Sequence, residues 1–160
     1  MSRWVQSLPR LLCQRAALMP GVELKASVRG GFVVVVLRGN LDVTGAADAE
    51  AAIAALVAPG QTLILDISAL DFMDCASRRA LLRVQMLARR GGGDVVLAAP
   101  QPHLLRLLAL TGSDEVFCVQ ASVEAAVAVP PAAGRGTLGG GLRCVLHALG
   151  GQPHRIRVPG

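Results

Sequence analysis

The chain has 160 residues, 52% of them hydrophobic and 17% charged, which supplies apolar material for one core and too little charge for a wholly disordered chain. A mean hydropathy of +0.51 points towards a membrane protein, yet apolar runs such as Phe32–Leu37 and Ala51–Ala58 fall far short of the roughly 18–20 residues of a spanning helix, so no membrane insertion is expected. The net charge of +5 sits in the ends: residues 1–19 and 129–160 hold seven arginines and no acid, whereas 20–128 hold nine basic residues and all eleven acids. A near-neutral body with 2% aromatic residues argues against nucleic-acid binding by the folded part, since it offers little to track phosphates or stack on bases.

Residues 1–19 read as a flexible basic extension with a short amphipathic stretch from Val5 to Leu18, and Met19 is a candidate alternative start. Val22 to Val28 alternates like a half-buried strand, and Gly30-Gly31 marks a tight turn. Phe32 to Leu37 is apolar on both faces and predicts a central strand covered from both sides. Thr44 is placed to cap a helix over Ala46–Ala58, stopped by Pro59-Gly60.

Thr62–Ile67 predicts the next strand, with Ser68–Asp74 as a connection. Ala76–Arg90 predicts a helix with Ala80, Leu81, Val84, Leu87 and Ala88 on one face, closed by Gly91-Gly92-Gly93. Asp94–Ala98 is a strand, Pro102–Leu110 a helix ending near Gly112, Val116–Val119 a short strand, and Ser122 caps a last helix to about Val127. This order predicts an α/β domain over 20–128: a mixed, mainly parallel sheet of about five strands with about four helices. From Pro130 the composition turns rich in Gly, Pro and Arg, so 129–160 reads as a mostly disordered tail, with Leu142–Leu149 able to form a helical turn or two.

The most informative segment is Leu65-Asp66-Ile67-Ser68-Ala69-Leu70-Asp71-Phe72-Met73-Asp74-Cys75-Ala76-Ser77, where a strand, a turn and a helix start meet. The free N–H groups of that helix start favour negative charge, either the capping side chain of Asp74 or Ser77 or a phosphorylated hydroxyl. Capping is the simpler reading of the local sequence.

From about Val22 to Val127 the chain resembles the STAS domain family, and in particular the anti-sigma factor antagonists of bacteria. The resemblance rests on Arg38-Gly39-Asn40-Leu41-Asp42-Val43-Thr44, Leu65-Asp66-Ile67-Ser68 leading into Phe72-Met73-Asp74, Pro102-His103-Leu104-Leu105-Arg106-Leu107-Leu108, and Leu110-Thr111-Gly112-Ser113-Asp114-Glu115-Val116-Phe117. It implies a STAS-like fold and a cytoplasmic, non-enzymatic protein that binds an anti-sigma factor of the serine-kinase type in a partner-switching circuit. The family's site reads Asp-Ser-Ser-Gly or a near variant, with the second hydroxyl residue as phosphate acceptor. Asp42 and Asp74 match the family's two aspartates. Cys75 stands at the first hydroxyl position, Ala76 at the acceptor and Ser77 at the glycine. The usual acceptor is therefore replaced, leaving either an antagonist that escapes the kinase, which is the preferred reading, or Ser77 as a displaced acceptor. A one-residue shift on a helix turns a side chain by about 100°.

The resemblance thus implies a partner-binding site of Asp42, Thr44, Asp74, Cys75, Ala76 and Ser77. Arg79 and Arg83 flank it, in a stripe with Met86 and Arg90 that has Arg78 and Leu82 beside it and suits an acidic partner. The alternative is a non-phosphorylated STAS subunit or scaffold of another assembly, of the lipid-transport or stressosome type. No cofactor, metal or catalytic residue is expected. Gly134-Arg135-Gly136-Thr137-Leu138-Gly139 fits GxGxxG only formally, because no strand precedes it. Cys144, His147 and His154 make a weak metal set. Ser77, His103 and an aspartate lack a nucleophile elbow. Cys75 at a helix start suggests a redox-active thiol, opposed by the neighbouring charge of Asp74. The four cysteines, Cys13, Cys75, Cys118 and Cys144, form no CxxC pair and suggest reduced thiols.

Overall fold

β-Branched and leucine-rich runs build the sheet. In the computed structural model, which describes residues 16–128, six strands form: β1 (Ala16–Met19), β2 (Val22–Arg29), β3 (Phe32–Leu41), β4 (Thr62–Met73), β5 (Asp94–Ala98) and β6 (Cys118–Gln120). Four helices accompany them: α1 (Val43–Ala54), α2 (Cys75–Arg90), α3 (Pro102–Leu110) and α4 (Val123–Ala128), with a 3-10 turn at Ser113–Glu115. The strands lie in chain order across the sheet. β1, β2 and β3 pair antiparallel, and β3 to β6 pair parallel. This is the mixed, mainly parallel sheet that the element order predicts.

Burial from both sides explains the unbroken apolar runs. Val33, Val35 and Leu37 of β3 join Leu63, Leu65 and Ile67 of β4 and Val95 and Leu97 of β5 in the main core, beneath α1, α2 and α3. The alternate residues Val34, Ile64, Val96 and Ala98 pack with Val123 and Ala126 of α4 in a second core. Helix α2 contributes Leu81, Val84 and Ala88 to the main core; Leu87, expected on that face, is exposed, and the polar Gln85 is buried instead. Gln85 is satisfied: its Nε2 donates to Asp94 Oδ1 at 2.6 Å and its Oε1 accepts from Val95 N at 2.7 Å.

Three differences from the sequence expectation have physical causes. Ala16–Met19, read above as part of the extension, pairs with β2 from Ala16↔Lys25 to Met19↔Val22; two alanines carry little strand propensity, so pairing with a formed edge decides its conformation. β4 runs on through Ser68–Met73, because β3 and β4 change register between Val36 and Arg38 and again between Gly39 and Asn40 and keep pairing past both irregularities. Helix α1 begins at Val43 and ends at Ala54, earlier at both ends than the expected 46–58. Residues 1–15 and 129–160, including the GxGxxG-like run and Cys13, Cys144, His147 and His154, lie outside the described residues.

Close backbone contacts at the end of β3 fix where α1 begins. Asn40 N donates to Gly21 O at 2.7 Å. Gly39 has φ +99°, and a Cβ there would stand 2.5 Å from Gly21 O. A Cβ on Gly45 would stand 2.8 Å from Pro20 O. The β1–β2 turn therefore presses directly on the end of β3 and the first turn of α1, where only glycine fits.

Leu65 is 0% exposed at the centre of the main core. Leu65→Ala is expected to cost about 2–5 kcal/mol, through lost burial and the cavity left behind. Urea unfolding checks it: a lower midpoint with an unchanged m-value is expected.

Candidate functional site: two linked helix starts

The first turn of any helix leaves backbone N–H groups without intrahelical partners. Here two helices, α1 and α2, start side by side at the ends of the parallel neighbours β3 and β4, and two aspartates serve them. Asp42 is extended and caps α1: its Oδ1 accepts from Thr44 N at 2.9 Å and from Thr44 Oγ1 at 2.5 Å. The cap is thus Asp42, and Thr44, expected in that role, is the residue held by it.

Asp74 caps α2 and does more. Its Oδ1 accepts from Ser77 N at 2.8 Å and lies 2.7 Å from Ser77 Oγ. Its Oδ2 accepts from Val43 N, the first residue of α1, at 2.8 Å. One carboxylate therefore joins two helix starts, with Val43 and Asp74 31 residues apart in sequence. Leu41 O completes the link, accepting from Asp74 N at 3.3 Å and from Ser77 Oγ at 2.6 Å.

These contacts set the charges. Donation by the Thr44 hydroxyl, then by the Thr44 and Gly45 amides, lowers the Asp42 pKa below the ordinary carboxylate value, against slight desolvation and the charge of Asp74. Partial desolvation pushes Asp74 upward, but the N–H and O–H of Ser77 and the amides of Val43 and Ala76 outweigh it, so it too ionises below the ordinary value. Both helix starts hold a carboxylate where the helix dipole favours one.

The predicted site residues divide into an outer and an inner set. Thr44 and Cys75 are exposed, and Asp42, Asp74 and Ala76 are half-buried. Ser77 is 0% exposed, with its hydroxyl turned in to Leu41 and Asp74. The arginine stripe is also divided. Arg79 is exposed. Arg83 is bound in bidentate fashion by Glu50 of α1, with Nη2–Oε2 at 2.6 Å and Nε–Oε1 at 2.8 Å. Arg78 turns the other way, where its Nη1 donates to Ser113 Oγ at 3.1 Å. Met86 and Arg90 are exposed further along α2.

Sequence reasoning missed Glu50, Val43 and Phe72. Glu50 lies two turns beyond Asp42 on α1, and its pairing with Arg83 depends on how α1 and α2 pack. Val43 (68% exposed) and Phe72 (49%) are apolar side chains beside the two caps; hydrophobic residues within two positions of Asp42 and Asp74 are the signal the sequence offers. His103 Nε2 lies 2.7 Å from Asp71 O, while the Ser77 hydroxyl is engaged with Leu41 and Asp74, so the two do not form a triad. Cys118 is half-buried. Among the described residues no cluster of His, Cys, Asp and Glu suits a metal, and no helix is long and apolar enough to cross a membrane.

The sheet order and the one-sided helices α1 to α3 are those of a STAS domain. The family model for the STAS domain matches residues 23–126, and the chain belongs to that family. The chain is 32% identical over 99 residues to a Bordetella bronchiseptica protein named as the anti-sigma factor antagonist BtrV, covering 61% of this chain and 85% of that one. It superposes with a TM-score of 0.61 on the crystal structure of an anti-sigma factor antagonist from Mycobacterium paratuberculosis, at 26% identity over 67% of this chain and 92% of that one. The Bacillus protein SpoIIAA, solved in its phosphorylated form, shares the fold at 24% identity and a TM-score of 0.52, over 67% of this chain and 96% of that one.

A lowered carboxylate pKa stabilises the fold above the unfolded-state pKa, and that stability is lost as pH falls through the folded-state value. Asp42, Glu50 and Asp74 are all lowered, Glu50 by Arg83. Urea midpoints are therefore expected to hold from neutrality down to about pH 4 and to fall below it. In Asp74→Asn that fall should be shallower, from a lower starting stability.

Proposed function

We propose that this chain is an anti-sigma factor antagonist that binds an anti-sigma factor of the serine-kinase type in the bacterial cytoplasm, and that it carries no phosphate acceptor at the usual position. The docking surface is the outer set at the two helix starts, Asp42, Val43, Thr44, Cys75 and Ala76, flanked by Arg79 and the Arg83–Glu50 pair. Asp74 and Ser77 support it from inside. No catalytic group is needed: binding alone withdraws the anti-sigma factor from its sigma factor.

The observation that carries this reading is the environment of residues 74–77. Ala76, aligned with the acceptor, offers a methyl group. The neighbouring hydroxyl of Ser77 is buried, with Leu41 O and Asp74 Oδ1 both within reach of its single proton. A kinase acting on Ser77 would have to pull it from the core and break those contacts. The named function of the Bordetella relative supports the class of partner.

Affinity purification of the tagged full chain from its native cells, with mass spectrometry of the partners and of the 74–78 peptide, tests the proposal. Recovery of a kinase-type anti-sigma factor with residues 74–78 unmodified is expected. Phosphate on Ser77, or recovery of transport or stressosome subunits in place of an anti-sigma factor, would overturn it. With the recovered partner, Asp42→Lys and Ala76→Glu should each weaken binding at least about tenfold in calorimetry, by placing an unmatched charge in the interface.

A further inference from the structure

Leu41 is 0% exposed at the last position of β3. Its carbonyl has a long bond from Asp74 N at 3.3 Å and a short one from Ser77 Oγ at 2.6 Å. Ser77 Oγ is also 2.7 Å from Asp74 Oδ1, while the other oxygen of that carboxylate holds Val43 N. A hydroxyl has a single proton to donate, and here it lies between the end of β3 and the cap of α2. Glycine or alanine at this position would leave the buried carbonyl with its weak partner alone, which is costly in a low-dielectric interior.

We propose that Ser77 is a positioning residue: its buried hydroxyl clamps the start of α2 to the end of β3 and, through Asp74, to the start of α1, so that Asp42–Thr44 and Cys75–Ala76 form one fixed edge. The importance of this edge for binding rests on the function proposed above; the clamp itself does not.

The clamp makes a prediction at a distance. Val43 N–H belongs to a different helix and is bonded only to the far oxygen of Asp74. The acceptor of this amide is the Asp74 carboxylate, so loosening of the clamp is read in its exchange. Amide hydrogen exchange is followed by NMR on the ¹⁵N-labelled full chain, with Ser77→Ala compared against Val84→Ala, which loosens the core without touching the clamp. Exchange at Val43 is expected to speed up about fivefold in Ser77→Ala beyond the change at core amides, and no more than the core in Val84→Ala. Exchange at Val43 that only tracks the core in both variants would overturn the clamp and leave Ser77 with only a local contact to the Asp74 cap of α2. Where the recovered anti-sigma factor serves as probe, Ser77→Ala should also bind about fivefold more weakly, and unchanged affinity would overturn the positioning role. Failure of the wild-type chain to capture an anti-sigma factor would refute the functional reading while the exchange experiment still decides the clamp.

Discussion

The carboxylate of Asp74 is the constraint on which the functional end of the molecule depends. A helix start is an unfinished structure, with donors pointing into space. Two such starts lie side by side here, and one side chain finishes both. Removing it would leave Val43 N and Ser77 N without their acceptor and release Ser77 Oγ to Leu41 O alone. The relative placement of α1 and α2 at this end rests on those bonds. Further along, the bidentate Arg83–Glu50 contact ties the same helices together. Arg83 is more than half exposed and Glu50 partly so, so solvent screens the pair and it guides the packing more than it stabilises it.

The sheet delivers these helix starts to one place. β3 and β4 are parallel neighbours, so their ends, Leu41 and Met73, come out together. The β1–β2 turn packs against the same end through Gly21, Gly39 and Gly45, contacts too close for any side chain. Hydrophobic burial on both faces makes the strands rigid, and glycine contacts set where they stop. The result is a polar, partly apolar edge suited to recognition, with Val43 and Phe72 exposed beside carboxylates. Binding surfaces of this kind combine apolar anchors with charges that set orientation.

Much of the fold could be read from the sequence because periodicity reports burial. The run at 32–37 is apolar on both faces, and the structure buries it on both, as it does most of the strands at 62–67 and 94–98. The 16-residue amphipathic pattern of α2 was equally plain, starting within a residue of its expected position. β1 was not readable, because Ala-Ala-Leu-Met has no alternation and takes its form from its neighbour. The extension of β4 was hidden by two register irregularities that no propensity reports. At the site, Asp74 and Ser77 could be singled out from their place beside a predicted helix start, and Asp42 from the family pattern alone. Their division of labour could not. That Asp74 reaches across to Val43, that Ser77 faces inward and that Arg83 is already paired are consequences of packing between segments some 30 residues apart.

The most direct test of the shared cap is a carbon-detected NMR titration of the Asp74 carboxyl in the full chain, read together with the amide shifts of Val43 and Ser77. A shared cap predicts a midpoint below the ordinary carboxylate value, with both amides moving in step with it as the common acceptor is lost. A carboxyl that titrates at the ordinary value, or moves Ser77 while Val43 stays still, would show that the two helix starts are capped separately and that Asp74 does not join them.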